Sequence, residues 1–223
     1  MSVSREVLVD RRFKEWEARR NRKVKLPKVQ PRIITLTGRY GSMGDTVAHL
    51  ISEKLGFTLY DRKLLQMIAE RAQVDPSLVR SVEEREHTYL SEVFDELVGN
   101  VQLEDTEYAR RLTEVLGIVS SNGEAVVLGR GANVLLGPNR ALRVYLTAPR
   151  EKRLERVAEV LKLGAEDAER QMQEEDDRRK HWVESIVGAN IRDPANYDMV
   201  ISTGHVTPEQ AADAVVAAFG GQR

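Results

Sequence analysis

Ile33-Ile34-Thr35-Leu36-Thr37-Gly38-Arg39-Tyr40-Gly41-Ser42-Met43-Gly44-Asp45-Thr46 is the stretch on which the fold turns. It opens with a β-branched apolar run, the mark of a buried strand. It continues through a glycine-bearing loop. From Thr46 to Leu55 it becomes helical, with Val47, Ala48, Leu50, Ile51 and Leu55 on a helical period and Gly56 as the stop. A strand, a glycine loop and a helix N-terminus together make an anion site, because backbone N–H groups converge and the helix dipole favours negative charge. Gly38, Gly41 and Gly44 let a phosphate approach the backbone. Ser42 and Thr46 add hydroxyls. The full phosphate-loop pattern is G-x-x-x-x-G-K-[ST]. Read from Gly38, it places Met43 at the second glycine, Gly44 at the lysine and Asp45 at the Ser/Thr. The lysine is missing, so a plain glycine turn between strand and helix stays open as an alternative.

Outward from the loop, short apolar strands alternate with helices. Strands are expected at Phe57 to Tyr60, Ala125 to Leu128, Ala141 to Thr147 and Met199 to Ser202. The stretch 62–121 reads helical. Further helices are expected over 149–163, over 165–182 and from Thr207, with Pro208 behind the cap. This alternation predicts a parallel sheet covered on both faces. Ligands in such sheets bind beyond the carboxyl ends of the strands. Gly38, Asp61, Arg130 and Ala148 all fall at those ends, which points to one cleft.

Composition narrows the class. The chain has 223 residues, is 41% hydrophobic and 31% charged, and has a mean hydropathy of -0.42. No apolar run reaches the ~20 residues of a membrane helix, and no secretory signal is visible, so a cytoplasmic setting is expected. The absence of cysteine excludes disulfides, thiolate metal sites and cysteine nucleophiles. The net charge is -1, yet residues 1–32 hold eleven Lys or Arg against four acids. This basic N-terminal extension (1–31) is read either as a solvated leader or as an arm for an acidic partner. A helix expected over 5–22 and the helical stretch 62–121 are candidate contacts for a homodimer.

Four stretches carry a resemblance to a known family. They are the loop at 33–46, G-F-T-L-Y-D-R-K-L-L at 56–65, A-V-V-L-G-R-G-A-N at 125–133 and D-P-A-N-Y-D-M-V-I-S-T at 193–203. Together they resemble the cytidylate-kinase-like branch of the P-loop nucleoside monophosphate kinases, over about residues 32–218. The resemblance implies a P-loop NTPase of the adenylate-kinase-like type. That is a three-layer α/β/α fold with a five-stranded parallel sheet of order 2-3-1-4-5. Residues 32–223 would form the kinase-like domain, with a helical monophosphate-binding insertion at 62–122 and a mobile lid at 164–192. The implied reaction is transfer of the γ-phosphoryl of ATP to a nucleoside monophosphate, with Mg2+. A catalytically degraded nucleotide or anion binder with a regulatory role is the alternative.

The resemblance also implies roles. Gly38, Gly41, Ser42, Met43, Gly44, Asp45 and Thr46 would hold ATP. Arg130, the surviving arginine after the third strand, would hold the acceptor phosphate. Both acids of the family's D-G-R-D are replaced here, by Leu128 and Gly131, so specificity for cytidine monophosphate does not follow. Arg110 or Arg111 stands at the spacing of a further phosphate ligand, although an exposed helix face accounts for both more simply. In the lid, Arg178 and Arg179, with Lys180 and His181, would close over ATP and supply the missing lysine's charge. Phosphoryl transfer asks for such positioned charge more than for covalent help. The same run also fits a solvated helix face with Glu174–Arg178 and Glu175–Arg179 pairs. Asp61 is read as a metal or substrate ligand, or as a strand-end helix cap. Asp45 is read as a first-turn charge on its helix.

Overall fold

The computed structural model describes residues 33–62, residue 65 and residues 106–220. The basic extension, the leader helix expected over 5–22 and most of the 62–122 insertion lie outside the described residues. Five parallel strands form one sheet: β1 (Ile33–Gly38), β2 (Thr58–Tyr60), β3 (Ala125–Leu128), β4 (Ala141–Thr147) and β5 (Met199–Ser202). Their order is β2-β3-β1-β4-β5. Ile33 pairs with Ala125 on one side and Ala141 on the other, so β1 is central and both of its edges are covered.

Alternation along the strands builds two cores. Ile33, Ala125, Val127, Ala141 and Tyr145 point to one face. There they meet α2 (Thr106–Asn122), α3 (Ala132–Leu135) and the far end of the long helix α5 (Ala165–Val187), through Leu112, Leu116, Leu135, Val183 and Val187. Ile34, Leu36, Val126, Leu128, Leu142, Val144 and Leu146 point to the other face. They meet α1 (Gly44–Leu55) and α6 (Pro208–Gly220). A smaller cluster joins α4 (Arg150–Leu161) to α5: Val157, Ala168 and Met172 pack under Tyr40 of the loop.

Local signals in the sequence set several boundaries. Gly56 closes α1 in the left-handed conformation. Thr207 and Gln210 form a reciprocal cap at the start of α6, with Gln210 N donating to Thr207 Oγ1 and Thr207 N donating to Gln210 Oε1. The helix expected over 165–182 runs on to Val187, because Val183 and Val187 continue its buried face. The short helix α3 was not expected. It follows three consecutive residues in the left-handed region, Gly129, Arg130 and Gly131.

That turn depends on its glycines. At Gly131, with φ of 64°, an added Cβ would lie 2.5 Å from Val187 Cγ2. A substitution there meets both backbone strain and overpacking against α5. Gly131→Ala should therefore destabilise the protein by about 2–4 kcal/mol and lower Tm by roughly 5–15 °C in calorimetry. An unchanged Tm would mean that α5 moves freely away from this turn.

Candidate phosphate site

The loop between β1 and α1 is shaped by close approaches. A Cβ on Gly38 would lie 2.7 Å from the Leu146 carbonyl oxygen, and one on Gly41 2.8 Å from that of Arg153. Gly41 also takes φ of 79°. Met43 adopts φ of 62° and caps α1, so the backbone keeps a left-handed residue where the sequence pattern would place a glycine. Ser42 is buried and donates its hydroxyl to the Arg39 carbonyl at 2.7 Å, inside the loop. Asp45 and Thr46 are exposed in the first turn of α1. Among the described residues, a Cβ at Gly44 would meet Leu128 Cδ1 at 3.8 Å, an ordinary contact. The backbone there admits a side chain.

Helices α4 and α5 grip the first half of this loop. Asp176 of α5 is 6% exposed and Arg153 of α4 is 1% exposed. Asp176 Oδ1 accepts from the Tyr40 backbone N–H at 2.8 Å. Asp176 Oδ2 accepts from Arg39 Nε at 3.0 Å and from Arg153 Nη1 at 2.8 Å. Arg153 Nη1 also donates to the Tyr40 carbonyl at 3.0 Å. Arg156 donates to the Gly41 carbonyl and to Thr203 Oγ1, beyond β5. Buried Thr203 in turn sits within hydrogen-bonding distance of the Ser42 and Thr147 carbonyls. Burial by itself would raise the Asp176 carboxyl. The Tyr40 N–H and the Arg153 and Arg39 guanidiniums outweigh it and hold the carboxyl below its ordinary range.

One turn beyond Asp176, Arg179 reaches the loop. Its Nη1 donates to the Gly38 carbonyl at 2.9 Å, and its guanidinium lies over the Tyr40 ring, 5.1 Å from the centroid. Its Nε is buried, with no hydrogen-bond partner among the described residues, and lies 4.0 Å from Glu175 Oε2. Burial and the neighbouring Arg62 charge lower its proton affinity to about 10, so it is a cation at neutral pH. Arg178 points elsewhere: its side chain is 66% exposed and pairs with Glu175 at 3.0 Å. Lys180 pairs with Glu184 at 3.9 Å and His181 lies 3.4 Å from Ser185 Oγ. Of the basic run, Arg179 is the member brought to the loop.

Beside the loop, Arg130 stands in the left-handed region between Gly129 and Gly131, its guanidinium 5.1 Å from the Trp182 ring centroid. Arg62 lies across the same turn, since a Cβ on Gly129 would meet Arg62 Cγ at 3.1 Å. Asp61 is exposed at the end of β2, Arg110 is exposed on α2 and Arg111 is half-buried there. No group of three His, Cys, Asp or Glu able to hold a metal occurs among the described residues. Arg39, Arg153, Arg156, Asp176 and Thr203 escaped the sequence reading. For Arg153 a signal existed: it lies four residues before Val157, on the buried face of α4.

The Cytidylate kinase-like family matches residues 33–205 of this chain. A cytidylate kinase from Methanopyrus kandleri is 26% identical over 197 residues, covering 84% of this chain and 92% of that protein. A uronate isomerase from Corynebacterium glutamicum is 36% identical over 117 residues. That match spans 52% of this chain but 22% of the isomerase, so it carries no activity across. A solved structure of an uncharacterized protein from Eubacterium ventriosum superposes with a TM-score of 0.64 at 21% identity. It covers 85% of this chain and 98% of the other, a likeness of fold.

The depressed Asp176 carboxyl has a pH consequence. A carboxylate held below its unfolded value contributes stability that is complete above about pH 5 and lost as pH falls through the unfolded and then the folded value. The stability difference between wild type and Asp176→Asn, from urea unfolding, should stay flat from about pH 8 to about pH 5 and shrink only in stronger acid. A difference already shrinking near pH 6 would show that the arginines do not hold Asp176 ionised.

Proposed function

The chain belongs to the cytidylate kinase-like family, and from that premise we propose that it moves the γ-phosphoryl group of ATP to a nucleoside monophosphate, with Arg179 supplying the charge that Gly44 lacks. The observation that carries this reading is the Arg179 guanidinium laid across the loop, bonded to the Gly38 carbonyl and stacked on Tyr40. A phosphate loop lysine acts as a point charge beside the transferring group, whereas an arginine brings a planar fork of donors.

In this mechanism the triphosphate lies over the N-terminus of α1. The backbone N–H groups from Met43 to Thr46 and the helix dipole hold it, while the Ser42 N–H stays on the Arg39 carbonyl inside the loop. Arg130, presented by its left-handed turn, holds the acceptor's phosphate. An oxygen of that phosphate attacks the γ-phosphorus as the bond to the departing ADP oxygen breaks. The attacking phosphate is mostly ionised at neutral pH, because its second pKa is about 6, so no protein base is required. Positioning and charge are the protein's contribution. Magnesium, when bound, would supply positive charge against the phosphates. Asp61, exposed at the end of β2, would be the carboxylate that holds it, together with the nucleotide and water.

A second reading is a nucleotide or anion binder that regulates a partner without turnover. Gly44 and the loss of both acids around Arg130 favour it. Release of ADP from ATP, assayed across CMP, dCMP, UMP, AMP and GMP, separates the two: turnover with one acceptor is expected. ATP binding without turnover on any of them would favour the binder.

The lysine substitution is testable by exchange. Arg179→Ala should weaken ATP binding about tenfold, the worth of one charged hydrogen bond, while Arg178→Ala should stay within about twofold. Adding Gly44→Lys to Arg179→Ala should restore most of the loss by calorimetric titration, since the position has room. No restoration, with Tm intact, would mean that Arg179 does not do the lysine's work.

A further inference from the structure

We propose that Asp176 is a positioning residue that registers the lid helix against the phosphate loop and thereby sets Arg179 in place. This rests on the reading of the loop as a phosphate site. Asp176 and Arg179 lie three residues apart on one face of α5, about 4.5 Å along the helix axis. Both touch the same short piece of backbone. Asp176 accepts from the Tyr40 N–H, and Arg179 donates to the Gly38 carbonyl. A helix fixed at Asp176 has little freedom left at Arg179.

The contacts at Asp176 exceed what packing alone would call for. Its two oxygens take a loop backbone N–H, a loop side chain (Arg39) and a buried arginine of α4 (Arg153). Arg153 holds the other polar group of the same residue, the Tyr40 carbonyl. Tyr40 is therefore clamped at both ends of its backbone by an ion pair that bridges α4 and α5. A buried ion pair is a poor source of net stability, since an apolar pair of similar volume often does as well. What such a pair adds is direction. The carboxylate accepts only at set angles, so α5 has one register on the loop. Met172 and Ala168, packed with Val157 under Tyr40, supply the apolar contact but no such register.

The alternative is that Asp176 only holds the fold together. A thermodynamic cycle separates the two, using inorganic tripolyphosphate as the probe so that the readout is binding to the loop and not turnover. If Asp176 acts through Arg179, Asp176→Asn weakens tripolyphosphate binding about tenfold in the wild-type background. In an Arg179→Ala background the same substitution changes it by less than about twofold. Equal losses in both backgrounds would overturn the inference, and so would a drop in Tm with binding unchanged in both. Asp176→Asn leaves Arg153 buried with a weaker partner and risks unfolding. Arg39→Gln is therefore run in parallel: the Arg39 side chain is 32% exposed, and its loss leaves the Arg153–Asp176 contact standing. It should show the same dependence on Arg179 at smaller amplitude, and additivity would again count against the proposal. Binding of tripolyphosphate without phosphoryl transfer to any nucleotide would remove the kinase reading and leave this inference intact. Binding of neither ATP nor tripolyphosphate by the wild type would remove both.

Discussion

A carboxylate with no water around it must be met by donors, and the loop of this protein takes its shape from that requirement. Asp176 is nearly closed off from solvent, and so is Arg153. Once buried, each needs the other, and the remaining capacity of Asp176 must go to something else. It goes to the backbone of the phosphate loop and to Arg39. The consequence reaches three elements. The ends of β1 and α1 are held at fixed spacing, α4 is tied to the loop through Arg153 and Arg156, and α5 cannot slide along its axis without breaking charged hydrogen bonds. Helix α5 is in this sense part of the loop's construction.

The sheet was legible because its signals are local and repetitive. Each strand is a short, mostly apolar run with glycine or proline nearby in sequence, and the helices between them carry buried positions at a period near 3.6. Gly56 and the Thr207–Gln210 pair marked helix ends by chemistry that depends on one or two residues. The strand order came from resemblance and not from periodicity, since no property of β2 by itself says that it pairs with β3. The short helix α3 stayed hidden because it follows from tertiary constraint: three successive left-handed residues turn the chain so that Ala132 and Leu135 enter the core.

The candidate site divided differently. The glycines of the loop were readable, because the geometry that needs them is written within a dozen residues. The contacts that hold the loop were not, because their separations in sequence are large: Tyr40 to Asp176, Tyr40 to Arg153, Ser42 to Thr203. Adjacent residues Arg178 and Arg179 look alike in the sequence, yet 100° of helical rotation sends one to solvent and the other to the loop. Charge in a run tells how much cation is available and says nothing of where it points. Asp176 illustrates the same limit, since in the run Glu174-Glu175-Asp176-Asp177 only the fold singles out the one acid that is buried.

The sheet ends on β2, of three residues, and β5, of four. Edge strands offer unpaired N–H and C=O groups, and long flat ones invite a second molecule to add a strand. Brevity limits that here: a partner chain docking on β2 or β5 would gain only a few ladder bonds before the edge runs out. Val200, on β5, is more than half exposed, yet it lies within a four-residue edge that offers little continuous template. The sheet is therefore guarded along its sides against runaway extension, a form of colloidal protection built from strand length.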